Sequence, residues 1–136
     1  MALMVGLDTG THTGFAVWDK DKKVLTELST LKIHRAMERV RELSVSDEIV
    51  VYFEDARLRT WFGNAGREAL QGAGSVKRDC SIWEDYLTDL GVEFHPVAPK
   101  NNATKLNAAF FEKITGWKGR TSEHARDAAM LVFNRT

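Results

Sequence analysis

The chain has 136 residues, 19 Lys and Arg against 19 Asp and Glu, and a mean hydropathy of -0.31. That is enough chain for one domain with a real core, so a single domain over 1–136 is expected. A single cysteine, Cys80, excludes an internal disulfide and a zinc knuckle and fits a reducing cytoplasm, while no apolar run approaches the ~20 residues of a membrane span.

The first stretch sets the plan. Leu3 to Leu7 and Gly14 to Trp18 are apolar and partly β-branched, and each reads as a short buried strand. Gly10, Thr11, His12 and Thr13 form a tight polar connection, which makes a hairpin with Asp8 at the end of its first strand. Val24 to Thr30 alternates as a third strand, antiparallel to the second. Ile33, Met37, Val40 and Leu43 recur at helical spacing, which predicts a helix over 31–44.

Ile49 to Phe53 is a continuous β-branched and aromatic run, the pattern of a parallel central strand buried on both faces. It ends in Glu54-Asp55, and active sites of open α/β sheets collect at such strand ends. The loop that follows carries Arg57, Arg59 and the adjacent aromatics Trp61 and Phe62. A long helix is predicted over 67–90 with the stripe Leu70, Ala73, Val76, Cys80, Trp83 and Leu87. It has a possible kink at Gly72-Ala73-Gly74, which also permits close backbone approach, and Gly91 as its cap. Cys80 reads as a small buried apolar residue. Val92 to Val97 reads as a strand that Pro96 assigns to an edge. A helix over 102–114, stopped by Gly116, and a last helix over 123–134 capped by Ser122 complete the chain.

Neutral net charge argues against nucleic-acid binding, but the charge is unevenly spread. Between 56 and 78 the basic residues are Arg57, Arg59, Arg67, Lys77 and Arg78, against Glu68 alone. Between 96 and 121 they are Lys100, Lys105, Lys113, Lys118 and Arg120, against Glu112 alone. Local patches of this kind track phosphates on a neutral protein.

Gly6-Leu7-Asp8-Thr9-Gly10-Thr11-His12-Thr13-Gly14 resembles openings of three families. Aspartic proteases are all-β, which the helices exclude. Actin-like ATPases clamp nucleotide between two such domains, and this chain has room for one. The third is the RNase H-like nuclease superfamily, above all the RuvC-like Holliday junction resolvases. Their second motif is matched by Glu54 at the end of a hydrophobic strand, and their last by His124-Ala-Arg-Asp127-Ala-Ala-Met-Leu131. The three motifs occur in family order and span nearly the whole chain. The turn after Gly10 is a residue shorter than in some members, and no clear lysine motif precedes the last helix, so Lys100, Lys105 and Lys118 are all candidates.

The resemblance implies an α/β fold, an RNase H-like mixed five-stranded sheet with its first three strands antiparallel and helices flanking it. It implies a crossover junction endonuclease, a cytoplasmic homodimer of the small phage-encoded type, acting on four-way DNA junctions with two Mg²⁺ or Mn²⁺ ions per site. Asp8, Glu54 and Asp127 would be ligands, with His124 a ligand or a proton carrier; Asp55 is an alternative to Glu54. Arg57, Arg59, Lys100, Lys105 and Lys118 would meet DNA, and Trp61 or Phe62 would either stack on an unpaired base or cover core. The alternatives are a nuclease of the same fold on flaps, forks or RNA–DNA hybrids, a non-catalytic junction-binding module, and a nucleotide-binding protein.

Overall fold

The computed structural model describes residues 2–58, 67–102 and 105–136, with the backbone alone given for 67–73 and 100. Five strands form one sheet in the order β3-β2-β1-β4-β5. They are β1 (Ala2–Asp8), β2 (His12–Asp19), β3 (Val24–Lys32), β4 (Glu48–Glu54) and β5 (Glu93–Val97). β1 pairs antiparallel with β2, and β2 with β3, while β1–β4 and β4–β5 are parallel. This is the expected mixed sheet, with β5 and its Pro96 at the edge.

The two faces of β1 go to different cores, as the period of two along a strand requires. Leu3, Val5 and Leu7 join Phe15, Val17, Val51, Phe53, Trp83 and Leu87 on one side. Helices α1 (Ile33–Ser46) and α2 (Arg67–Leu90) cover that side; Ala36, Val40 and Leu43 of α1 are buried there. Met4, Ala16 and Trp18 face the other way and pack with Phe111, Ala128, Ala129, Leu131 and Val132. Those residues belong to α3 (Ala108–Thr115) and α4 (Glu123–Val132). Asp8 lies an even number of residues from Met4 and so stands on the α4 face.

Several boundaries differ from the sequence reading. β3 runs on to Lys32, so α1 starts at Ile33, and it ends only at Ser46. β4 alternates rather than being buried on both faces: Ile49, Val51 and Phe53 are buried, but Val50 and Tyr52 are half-buried, because α3 and α4 leave part of the β4–β5 surface uncovered. The third helix begins at Ala108, six positions later than expected. Pro99–Asn101 instead forms a 3-10 turn, Lys105 takes a left-handed backbone at φ 59°, and the Asn107 side chain caps Phe110 N–H. Gly91 and Gly116 end α2 and α3 in left-handed conformation at φ 70° and 74°, as a C-cap requires. Cys80 is fully buried, as expected. Among the described residues nothing lies within 4 Å of a Cβ built at Gly74. Among the described residues no helix is long and apolar enough to cross a membrane.

Candidate active site

The parallel register of β1 and β4, ending at Leu7↔Phe53, sets Asp8 beside Glu54 at the carboxyl end of the sheet. The Asp8 and Glu54 side chains lie within hydrogen-bonding reach. Thr9, the next residue, ties the two strand ends: its Oγ1 donates to the Glu54 carbonyl at 3.3 Å and lies 3.3 Å from Cys80 Sγ. Burial raises the Cys80 thiol above its ordinary range, so it stays protonated and donates to the same carbonyl at 3.7 Å.

The second half of the site arrives on α4, and two glycines let it come close. A Cβ at Gly6 would lie 2.2 Å from the Ala128 carbonyl oxygen, and a Cβ at Gly14 would lie 2.0 Å from that of His124. Only hydrogen fits at either place, so the hairpin forms a flat bed for the helix. The helix begins where expected, with Ser122 Oγ accepting from Ala125 N–H at 3.1 Å. Ala125, Ala128 and Ala129 keep its buried side thin.

His124 then meets Asp8, its Nδ1–H donating to Asp8 Oδ2 at 2.9 Å, with the imidazole 56% exposed and the carboxylate 14%. Asp127 is buried, and its Oδ1 accepts the Lys105 backbone N–H at 2.8 Å. The Asn102 side chain donates to the Asp127 carbonyl at 3.1 Å. Burial, the largest influence, lifts the Asp8 carboxyl above its ordinary range against the hydrogen bonds of His124 and Glu54; the Glu123 charge adds to the rise. Burial likewise lifts Asp127, opposed by the Lys105 N–H and reinforced by the charges of Asp8 and Glu123. Asp8, Glu54, Glu123, His124 and Asp127 thus share one electrostatic neighbourhood.

The four carboxylates of this neighbourhood are hard oxygen donors whose mutual repulsion a divalent cation relieves. One oxygen of Asp127 is taken by the Lys105 N–H, while Asp8 is engaged by both His124 and Glu54. Among the described residues no group of three or more His, Cys, Asp or Glu side chains is arranged to hold a metal ion.

Asp55 and Arg57 have another occupation. The Asp55 carboxylate is buried and accepts from Arg57 N–H, Nε–H and Nη2–H at 2.9, 2.9 and 2.7 Å. Arg57 also donates to Glu84 at 2.9 Å and to Ser81 at 3.3 Å. Burial would raise the Asp55 carboxyl, but the Arg57 hydrogen bonds and charge bring it below its ordinary range. Of the two adjacent acids, Glu54 is the one that meets Asp8. Arg57 has its charge matched within the protein, although it was expected on DNA. Lys105 and Lys118 are exposed. Arg59, Trp61, Phe62 and the Lys100 side chain lie outside the described residues.

Sequence reasoning assigned Gly10 to the turn but missed the bed made by Gly6 and Gly14, and it missed the backbone N–H of Lys105. The signal for the first was present: an isolated glycine inside a strand marks a close backbone neighbour. The second had none, since a main-chain donor carries no residue signature.

No protein-family model and no curated protein matches this chain. Among solved structures the chain is similar to T. thermophilus RuvC in complex with a Holliday junction substrate, with a TM-score of 0.64 and 20% sequence identity. The match covers 98% of this chain and 91% of that one. The fold is thus the RuvC-type, RNase H-like mixed sheet.

Proposed function

We propose that the protein is a divalent-metal-dependent endonuclease that cleaves four-way DNA junctions. The observation that carries this reading is Asp8, set beside Glu54 at the strand ends, bonded to His124 of α4 and within reach of the charge of Asp127, in a fold shared with a structure of RuvC bound to a Holliday junction. Asp8, Glu54 and Asp127 would hold Mg²⁺ or Mn²⁺, two ions per site. Bound there, the ions would supply an activated water and neutralise charge on the scissile phosphate and the leaving oxygen.

The chain's own residues do the rest. His124 Nδ1–H fixes the orientation of the Asp8 carboxylate, and the half-exposed imidazole is placed to take a proton from solvent-side oxygen. The first turn of α4 turns its unpaired N–H groups and positive dipole end toward a phosphate at this site. Lys105 and Lys118 add charge around it without committing to acids of their own among the described residues. Paired nicks need two sites related by a two-fold axis, so a homodimer belongs to this reading. Its support here is the outer side of α2, where Gly74 and Ile82 are exposed.

A non-catalytic junction-binding module is the second reading, favoured by the lack of a ready three-residue metal cage among the described residues. Incubation of a labelled four-way junction with Mg²⁺, together with calorimetric titration of Mn²⁺, separates the two. Symmetric nicks by the wild type and none by Asp8→Asn support the nuclease. Junction binding without Mn²⁺ uptake or nicking supports the module. Preferential cutting of flaps or RNA–DNA hybrids keeps the chemistry and changes the substrate.

A further inference from the structure

Beside the acidic cluster, at the edge of the sheet, lies an open groove of about 550 Å³ lined by Tyr52, His95, Arg135, Asn101, Leu58 and Pro96, among others. Its floor is an aromatic stack. The Tyr52 and His95 rings face each other across the β4–β5 register with centroids 5.2 Å apart and planes 28° from parallel. The Arg135 guanidinium lies over the Tyr52 ring at 4.0 Å. Arg135 Nε–H donates to the Leu131 carbonyl, and among the described residues no acid pairs with this side chain. The imidazole is 49% exposed, and its Nε2 contacts Glu93 at 2.8 Å.

We propose that this groove binds an unpaired nucleotide of the nucleic acid on which the acidic site acts, the base lying on the half-exposed His95 ring and a neighbouring phosphate of the same strand meeting Arg135. The inference rests on the nuclease reading above and adds a subsite to it. Arg135 covers one face of Tyr52 and His95 lies on the other, so the half-exposed His95 ring is the face left for a base plane, and the Arg135 N–H groups not used on Leu131 suit an anion; a base reaches such a face only when it has left the duplex stack. Glu93 at the His95 end repels phosphate and so sets the polarity, base toward His95 and phosphate toward Arg135. Position agrees: Tyr52 is two residues before Glu54 on β4, about 6.6 Å by strand rise, and Val97 of β5 pairs with Glu54. A single strand crossing Asp8 and Glu54 needs to advance by about one nucleotide to reach the stack. Asn101 adds an amide at the rim for a base edge.

The test uses pentathymidylate and NMR of the intact chain. On titration, the His95 ring and Asn101 amide resonances of the wild type should shift. His95→Ala should weaken binding about ten-fold, the scale of removing one stacking platform. Arg135→Gln should weaken it and reduce the slope of log affinity against log salt by about one. Circular dichroism melts of both variants check that folding is intact. Binding of the oligonucleotide with no shift at His95 or Asn101, or equal affinity of well-folded His95→Ala, overturns the proposal. The two readings fail separately. Shifts at His95 in a protein that nicks no junction keep the groove and sink the nuclease; wild-type nicking with a silent groove does the reverse.

Discussion

Gly14→Ala is the sharpest test of how the candidate site is assembled. The added Cβ would sit 2.0 Å from the His124 carbonyl oxygen, 2.5 Å from its carbonyl carbon and 3.0 Å from Asp8 Cβ. Real Cβ contacts essentially never fall under 3.0 Å, so α4 must rise by about 1 Å or the hairpin must sink as far. Neither neighbour is a flexible side-chain tip; both are backbone held by helix and sheet hydrogen bonds. Overfilling of this kind costs about 1–3 kcal/mol, which for a chain of this length lowers the melting temperature by roughly 4–12 °C. The same shift stretches the His124–Asp8 contact from 2.9 Å to about 4 Å, beyond hydrogen bonding. Thermal melts by circular dichroism read the first effect, and the imidazole ¹⁵N shifts of His124 read the second. Gly74→Ala is the control, because its Cβ would enter open space on a helix; it should gain about 0.5–1 kcal/mol. A Gly14→Ala protein that melts with the wild type and keeps the His124–Asp8 hydrogen bond would refute the glycine bed.

Asp8→Asn should abolish junction nicking and Mn²⁺-dependent thermal stabilisation while retaining DNA binding, since shape is kept and charge lost. The folded Asp8 carboxyl is raised above its ordinary 3.8, so the wild type loses stability as pH climbs from that value to the raised one, and Asn removes this loss. Melts of the two proteins should therefore converge at low pH and favour Asn near neutrality. Arg57→Ala leaves the buried Asp55 carboxylate unpaired and should cost about 3–5 kcal/mol in urea unfolding; a stable variant with weakened DNA binding would return Arg57 to the DNA interface. Because the Asp55 carboxyl is held below 3.8, its contribution is present above that pH and lost as pH falls through the lowered value. Lys105→Gly keeps the N–H that Asp127 accepts and relieves the left-handed φ of 59°. It should hold or raise the melting temperature while reducing the salt slope of DNA binding by about one.

The sheet and three of its four flanking helices were legible because apolar spacing is set by burial, which each residue carries with it. Strands β1 and β2 and helix α2 follow their patterns closely, while β4 lies where expected but is buried on one face only. The start of α3 was not legible. Asn102 and Asn107 are both able to cap a helix, and the choice between them rests on a contact 22 positions away, Lys105 N–H to Asp127. The acids Asp8, Glu54 and Asp127 and the imidazole of His124 stood out because each ends a strand or opens a helix. The occupation of Asp55 by Arg57 did not, since a turn that folds a guanidinium back over its neighbour leaves the same letters as a free basic loop. The Tyr52–His95 stack was hidden for a similar reason: each ring belongs to a strand pattern, and only register makes them a surface.

The hydrogen bond from His124 to Asp8 joins positions 116 apart. During synthesis at about 5–20 residues per second, the first of these leaves the ribosome roughly 6–23 s before the second. Throughout that interval the hairpin with its bare glycines can pair with β3 and β4, yet Met4, Ala16 and Trp18 have no helix to cover them. Completion of the second core and completion of the acidic cluster are the same event, the docking of α4. A nascent chain therefore cannot acquire an activity that needs both Asp8 and Asp127 before its last helix is made, and a ribosome that stalls before Ser122 releases a product that is inert at this site and marked for disposal by an exposed apolar face.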